Sequence, residues 1–200
     1  QDADKWRRFE LAVQEPMQTM PQLLPPRLPR IPTKKTRDPY LAVLIPFDLH
    51  IDKLCARTGV DRARERLTAG VSQILKYVQA FGKPQRWLTS SGGDWFNSDN
   101  FQLTTLHGTP QKHAKGFPSM AKEGCQLKVD LLEMMRAVAP VTYLSVKGNH
   151  DPSLEVLSGY WLAGQYQKEK DVEIVTDAKE MHVVEYGKNC IGVHHGKRKH

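Results

Sequence analysis

Val141-Thr142-Tyr143-Leu144-Ser145-Val146-Lys147-Gly148-Asn149-His150-Asp151 is the stretch on which the fold turns. Its first six residues are a short apolar run that follows Pro140 and reads as a buried strand. The next five bring a glycine, an amide, an imidazole and a carboxylate, so polar groups stand just where the strand stops. The same arrangement occurs three more times. Tyr40 to Pro46 reads as a strand and leads to Asp48-Leu49-His50. Arg86 to Ser90 reads as a second strand and leads to Gly93-Asp94, with Asn97 three residues on. Cys190 to Val193 is a late strand that runs into His194-His195-Gly196.

Helical periodicity fills the intervals. Leu67, Val71, Ile74, Leu75, Val78 and Phe81 share one face of a helix spanning Val60 to Phe81, closed by Gly82 and Pro84. Leu127, Leu131, Met134, Met135 and Val138 mark a second helix that Pro140 stops, with Met134 and Met135 in the core. A third helix covers roughly Ser153 to Lys168. Val172 to Val175 and Met181 to Tyr186 read as further strands, the latter joined to Cys190–Val193 as a hairpin across Gly187-Lys188-Asn189. Strands and helices alternate and then strands cluster, which predicts an α/β layered fold. Residues 98–122 lack periodicity and read as a long loop. Trp95 and Phe96 read as core, and His107 and His113 as surface histidines. Asp52, Asp99 and Asn100 read as solvated or turn-forming.

The 200 residues suffice for one hydrophobic core, and 40% of them are hydrophobic. No apolar run of about 18 residues is present, which excludes a membrane span. Seven of the 13 prolines fall in residues 1–39, and Arg27 to Arg37 holds five basic residues and no acid. Proline fixes φ and removes donors, so this segment reads as a basic, solvated arm or linker ahead of a domain at 40–200. Three widely spaced cysteines, Cys55, Cys125 and Cys190, form no CxxC pair and suit a reducing compartment, the cytoplasm. A net charge of +7 favours polyanionic partners.

Strand ends of one sheet lie at one edge, so the four polar clusters can converge on one pocket. Asp48 and His50, two apart, would point the same way on an extended backbone. Asp94 could bridge two cations through its carboxylate. Asn149 offers a neutral oxygen and His195 an imidazole nitrogen. Oxygen and imidazole donors without thiolate suit manganese, iron or zinc. Two such ions about 3.5–4 Å apart can hold a hydroxide and clamp a phosphoryl group. His194 and His195, adjacent on a strand, face opposite sides, and His195 is the better ligand.

DxH at Asp48–His50, GDxxN at Gly93–Asn97, GNHD at Gly148–Asp151 and HHG at His194–Gly196 together resemble the calcineurin-like metallophosphoesterases. The spacing is most similar to phage- and prophage-encoded members akin to DNA-repair nucleases, over residues 40–196. The resemblance implies a four-layer αββα sandwich and a hydrolase using two divalent metals, manganese first, with iron or zinc as alternatives. Asp48 and His50 would ligate one ion, Asp94 both, and Asn149 and His195 the other. His150 would stabilise the phosphate and protonate the leaving oxygen, Asp151 would orient its imidazole, and Asn97 would contact substrate. The implied reaction is attack by metal-bound hydroxide on a phosphoester, nucleic-acid phosphodiesters foremost, in a host cytoplasm. A phosphomonoesterase or protein phosphatase is the alternative, as is a nucleic-acid-binding module with an incomplete site. Family members carry a further GHxH motif downstream. Its absence before His200 leads to the expectation that the sequence is the N-terminal portion of a longer protein. Lys197-Arg198-Lys199 reads as a disordered, charge-rich end. The sequence leaves oligomeric state open.

Overall fold

The computed structural model describes residues 28–33, 35, 38–54 and 60–196. Residues 1–27, most of the basic arm, lie outside that set, as do Cys55 and Lys197-Arg198-Lys199. In chain order the elements are β1 (Leu41–Leu44), α1 (Val60–Phe81), β2 (Arg86–Ser90), α2 (Phe117–Arg136), β3 (Val141–Val146), α3 (Pro152–Tyr166), β4 (Val172–Lys179), β5 (Met181–Tyr186) and β6 (Asn189–His194).

β1 to β4 form a parallel sheet in the order β1-β2-β3-β4, and β5 and β6 form an antiparallel hairpin. Chain order and spatial order coincide, so crossovers of one hand place the helices on one face. Side-chain alternation agrees. Ala42, Trp87, Val141, Tyr143 and Val172 face a core shared with Leu67, Val71, Leu75 and Val78 of α1, Leu127, Leu131 and Met135 of α2, and Leu162 of α3. The opposite strand positions, Leu88, Leu144 and Val146, pack with Val193 of β6, flanked by Val184 and Ile191. Both faces of the sheet are therefore covered, as parallel strands require. Each fully buried aliphatic side chain contributes about 1.5–3 kcal/mol.

Three boundaries differ from those read off the sequence. α2 begins at Phe117, inside the expected loop, because Gly116 (φ 95°) turns the chain and Pro118 presets the first helical turn. β4 runs on to Lys179 past a register shift between Leu144 and Val146. The described end of the arm is not a free tail, since Ile31 donates its N–H to the Ala137 carbonyl (2.8 Å) and packs against the helical core. No helix among the described residues is long and apolar enough to cross a membrane.

Gly70 sits in the exposed interior of α1 with open space where a Cβ would go. Gly70→Ala is expected to stabilise the domain by about 0.5–1 kcal/mol, read as a rise in the urea midpoint without a change in slope.

Candidate metal centre

All four polar clusters meet at the C-terminal edge of the parallel sheet. The β1 loop lies alongside the β2 loop through His50 N–H to the Asp94 carbonyl (3.0 Å) and Ile51 N–H to the Trp95 carbonyl (2.9 Å). The β3 loop is fixed to the same segment by His150 N–H, which donates to Asp94 Oδ1 at 2.8 Å. His195 follows β6, which packs under Leu88, Leu144 and Val146.

The backbone here is unusual. Among the described residues, five non-glycine residues have positive φ, and four are Asp48 (51°), His50 (44°), Asp52 (70°) and Asp94 (52°). Side chains other than Gly, Asn and Asp adopt this region rarely, at about 1–2 kcal/mol each. Aspartate tolerates it, so His50 is the strained position among these four residues. They also correct the expected reason for the convergence of Asp48 and His50, because that chain is left-handed at both residues rather than extended. Even so, Asp48 Oδ1 comes within 3.8 Å of His50 Nε2.

Asp94 is the hub, its side chain only 4% exposed. Its Oδ2 lies 3.2 Å from His195 Nε2 and 4.0 Å from both His50 Nε2 and His150 Nε2. His195 Nε2 is also 3.0 Å from Asn149 Oδ1. The tautomer of His195 follows from its other nitrogen. Nδ1 is 3.2 Å from the Gly92 carbonyl, which can only accept, so the proton is on Nδ1. Nε2 is therefore the nitrogen turned to Asp94 Oδ2 and Asn149 Oδ1, and in the neutral ring its lone pair and those two oxygens form a donor set that a cation would satisfy. Two ligand atoms about 2.0–2.2 Å from one ion, at angles of about 90–109°, sit about 3.0–3.5 Å apart. The Asp94–His195–Asn149 spacings fall in that range. The distances of 3.8–4.0 Å around His50 demand wide angles at a shared ion, so that side of the centre is looser. The residues present fit a divalent metal by donor type and, at His195, by spacing.

The side chains group as Asp48 with Asp94 and His195, and as His50 with Asp94 and His150. Asp94 is common to both sets, the position expected of a bridging carboxylate. Asp48 lies within reach of His195 as well as of His50. His50 and His150 meet edge to face, ring centres 4.6 Å apart. Burial, and then the neighbouring His150, push the His50 imidazole below its ordinary range, against the opposing pull of Asp94.

Two residues have different contacts from those expected. Asp151 does not hold the His150 ring. Its Oδ1 accepts Asp94 N–H (3.2 Å) and its Oδ2 accepts Phe96 N–H (2.8 Å), so both oxygens pin the β2 loop. Burial, with Glu155 nearby, pushes its carboxyl well above the usual range. The His150 ring is held instead by the Asn97 carbonyl, 3.1 Å from Nδ1. The Asn97 side chain cannot touch a substrate, because Asn97 is fully buried and its Nδ2 donates to the Lys112 carbonyl at 3.0 Å.

Four sequence readings of nearby residues change as well. Asp52 is fully buried and accepts from Lys115 N–H, Gly116 N–H and His113. His113 is not on the surface, with its side chain 2% exposed. Asp99 is not free in solvent but caps α3 by accepting Ser153 N–H (2.7 Å) and Leu154 N–H (3.1 Å). The loop from Ser98 to Gly116 is held by bridges at Thr104–Pro110 and Lys53–His113. Other readings agree with the structure. His194 is exposed and turned to Gly196 N–H, His107 is exposed, and Trp95 and Phe96 are fully buried. Cys125 is no ligand candidate, since burial pushes its thiol up to about 11.

Two glycines let these loops close. A Cβ on Gly148 would lie 2.1 Å from Asp94 Oδ1 and 2.2 Å from Asp94 N, and one on Gly93 would lie 2.5 Å from His195 Nδ1. A cleft of about 420 Å³ opens beside Asn149 and His195, lined also by Leu106, Lys147, Pro152 and Met181. Comparison with models of known families, with curated proteins and with solved structures finds no match.

Proposed function

We propose that this protein is a metal-dependent phosphoesterase of the calcineurin-like kind, acting on phosphodiesters. The observation that carries the reading is the convergence of three ligand-type atoms, His195 Nε2, Asp94 Oδ2 and Asn149 Oδ1, with His150 Nε2 turned to the same carboxylate oxygen at 4.0 Å. Asp94, Asn149 and His195 would hold one divalent cation, and Asp48 and His50 would join Asp94 around a second. Manganese suits this donor set, with iron or zinc as alternatives. A bound pair of such ions supplies Lewis acidity toward a phosphoryl group and an acidified water near neutral pH.

The protein's own share of the chemistry lies in placement and proton transfer. His150 keeps Nδ1–H on the Asn97 carbonyl, which leaves Nε2 as the nitrogen aimed into the centre. In its protonated form it donates from Nε2 to the leaving oxygen and balances the charge that builds on phosphorus. The cleft beside Asn149 would take the rest of the ester, with Lys147 and Glu180 placing one charge of each sign at its wall. Nucleic acid is the favoured substrate class on the net charge of +7. For the fold, the reading implies that the hairpin belongs to a second sheet. Its outward residues Met181 and Val183, both more than half exposed, are where a fourth layer would sit.

The test is calorimetric titration with manganese, followed by hydrolysis of bis-p-nitrophenyl phosphate. One ion is expected to bind more tightly than the next, because only the His195 side has its ligands at bonding spacing. His150→Ala is expected to lower kcat about a hundredfold or more and to leave the tighter site intact. Manganese-loaded protein that turns over no phosphoester while retaining DNA at low salt would instead make it a binding module.

A further inference from the structure

We propose that Asp52, His113 and Asn97 form a buried relay that positions His150, so that His113, in a loop 37 residues away in sequence, is a positioning residue for proton transfer to the leaving group. The inference rests on the phosphoesterase reading and extends it to residues that reading does not use.

The relay follows from three contacts whose donors are fixed. Asp52 Oδ2 lies 3.2 Å from His113 Nδ1, and as a buried carboxylate already receiving Lys115 and Gly116 N–H it takes the His113 proton at Nδ1. His113 Nε2 is then an acceptor, 3.4 Å from Asn97 Nδ2. The two amide protons of Asn97 are thereby divided between the Lys112 carbonyl and His113, which fixes its side chain through Nδ2. The backbone carbonyl of the same residue receives His150 Nδ1–H at 3.1 Å. No member of the chain is solvated. Asp52 and Asn97 are 0% exposed and the His113 side chain 2%.

Burial decides what the chain can do. A buried donor or acceptor that loses its partner costs about 1–3 kcal/mol, so the Asn97 amide cannot rotate without stranding Nδ2 and His113 Nε2. The backbone carbonyl of Asn97, and with it the direction of His150 Nε2, is held by a histidine that touches neither metal ligand nor substrate. Asp52 joins the relay to the β1 loop, two residues from His50, so the histidine acting on the leaving group and the loop bearing Asp48 and His50 share one support.

A merely structural role would weaken every substrate alike. The relay acts on proton delivery, so its loss shows most where the leaving group needs a proton. The experiment compares His113→Ala and His113→Gln with the parent protein, manganese-loaded, on bis-p-nitrophenyl phosphate and on dithymidine monophosphate, whose alkoxide leaves poorly. His113→Ala is expected to lose about tenfold more on the dinucleotide than on the aryl ester, with manganese affinity unchanged. His113→Gln, which can donate to Asp52 and accept from Asn97, is expected to recover most of the difference. In parallel, ¹⁵N NMR of the histidines without metal reads the tautomer of His150, which is Nδ1–H in the parent and in His113→Gln and mixed in His113→Ala. Equal losses on the two esters, or an unchanged His150 tautomer in His113→Ala, would overturn the relay. If His113→Ala does not fold, the glutamine variant carries the test, and a dinucleotide-selective loss there with an altered tautomer counts against the proposal. If the parent protein hydrolyses neither ester, the phosphoesterase reading falls, while the tautomer measurement still decides whether His113 positions His150.

Discussion

If the proposed centre binds metal and hydrolyses phosphoesters, Gly148→Ala is expected to abolish both activities while leaving a folded protein. The new methyl would meet Asp94 Oδ1 at 2.1 Å, Asp94 N at 2.2 Å and Asp151 Oδ1 at 2.7 Å. None of these can yield cheaply. Asp94 Oδ1 is held by His150 N–H, and Asp151 Oδ1 by Asp94 N–H. Because one of the contacts is backbone, relief has to shift Asp94 as a whole, which moves out of place the one group common to both candidate ligand sets. Overpacking of this kind costs about 1–3 kcal/mol in stability, so the melting temperature falls but the transition stays cooperative. Calorimetry should show no manganese binding. Gly192→Ala is the matched control, since nothing lies within 4 Å of its added Cβ, and it is expected to bind manganese as the parent does. Retained tight binding in Gly148→Ala would mean that Asp94 is not the hub of the centre.

The largest stability effect is expected from Lys128→Met. Lys128 is fully buried and donates to Glu155 Oε2 at 2.6 Å and to Ser158 Oγ at 2.7 Å, beneath the rings of Trp95, Phe96 and Tyr143. Tyr143 donates to the other Glu155 oxygen at 3.1 Å. Methionine matches the stem but leaves the buried Glu155 without its counter-ion, with only Tyr143 still donating to it, at a cost of about 3–5 kcal/mol. The double variant Lys128→Met, Glu155→Gln should recover much of the loss, and urea unfolding of the three proteins measures it. The pH dependence has a definite sign. Burial pushes the ammonium of Lys128 down, but the charge and hydrogen bond of Glu155 outweigh it, and the net shift is upward from 10.5. The folded state therefore holds this proton more tightly than the unfolded chain. The contribution is fully present below the unfolded value and is lost only as pH climbs through the raised one. The gap between the parent and the double variant should narrow in strong alkali. Glu155 N–H donates to the Asp151 carbonyl, one helical turn away, so this buried pair also supports the loop that carries Asn149 and His150.

The elements that position the site were legible because burial on both faces writes strands as apolar runs. Arg86–Ser90 and Val141–Val146 stand as read, and the polar clusters after them do converge. Asp94, Asn149 and His195 stood out by type and by place, at strand ends. What was not legible depends on partners far away in sequence. Nothing local to Asp52 or His113 announces that each buries the other across 61 residues. Asp151 looked like a partner for the adjacent imidazole, but its oxygens were taken by two N–H groups of the β2 loop. Lys128 reads as one more charge on an amphipathic helix, although it lies beside Leu127 and one turn before Leu132, both fully buried. The start of α2 could have been found, since Gly116-Phe117-Pro118 is a turn followed by proline in the first helical turn.

The left-handed residues of the β1 and β2 loops also govern how variants at these places should be interpreted. A saturation library at 48, 50, 52 and 94 would be sieved twice, once by whether the newcomer tolerates positive φ and once by whether it can hold an ion. Valine or isoleucine would disappear at the first sieve and say nothing about coordination. Asparagine and glycine pass it, so His50→Asn or Asp48→Gly isolates the chemical question from the conformational one.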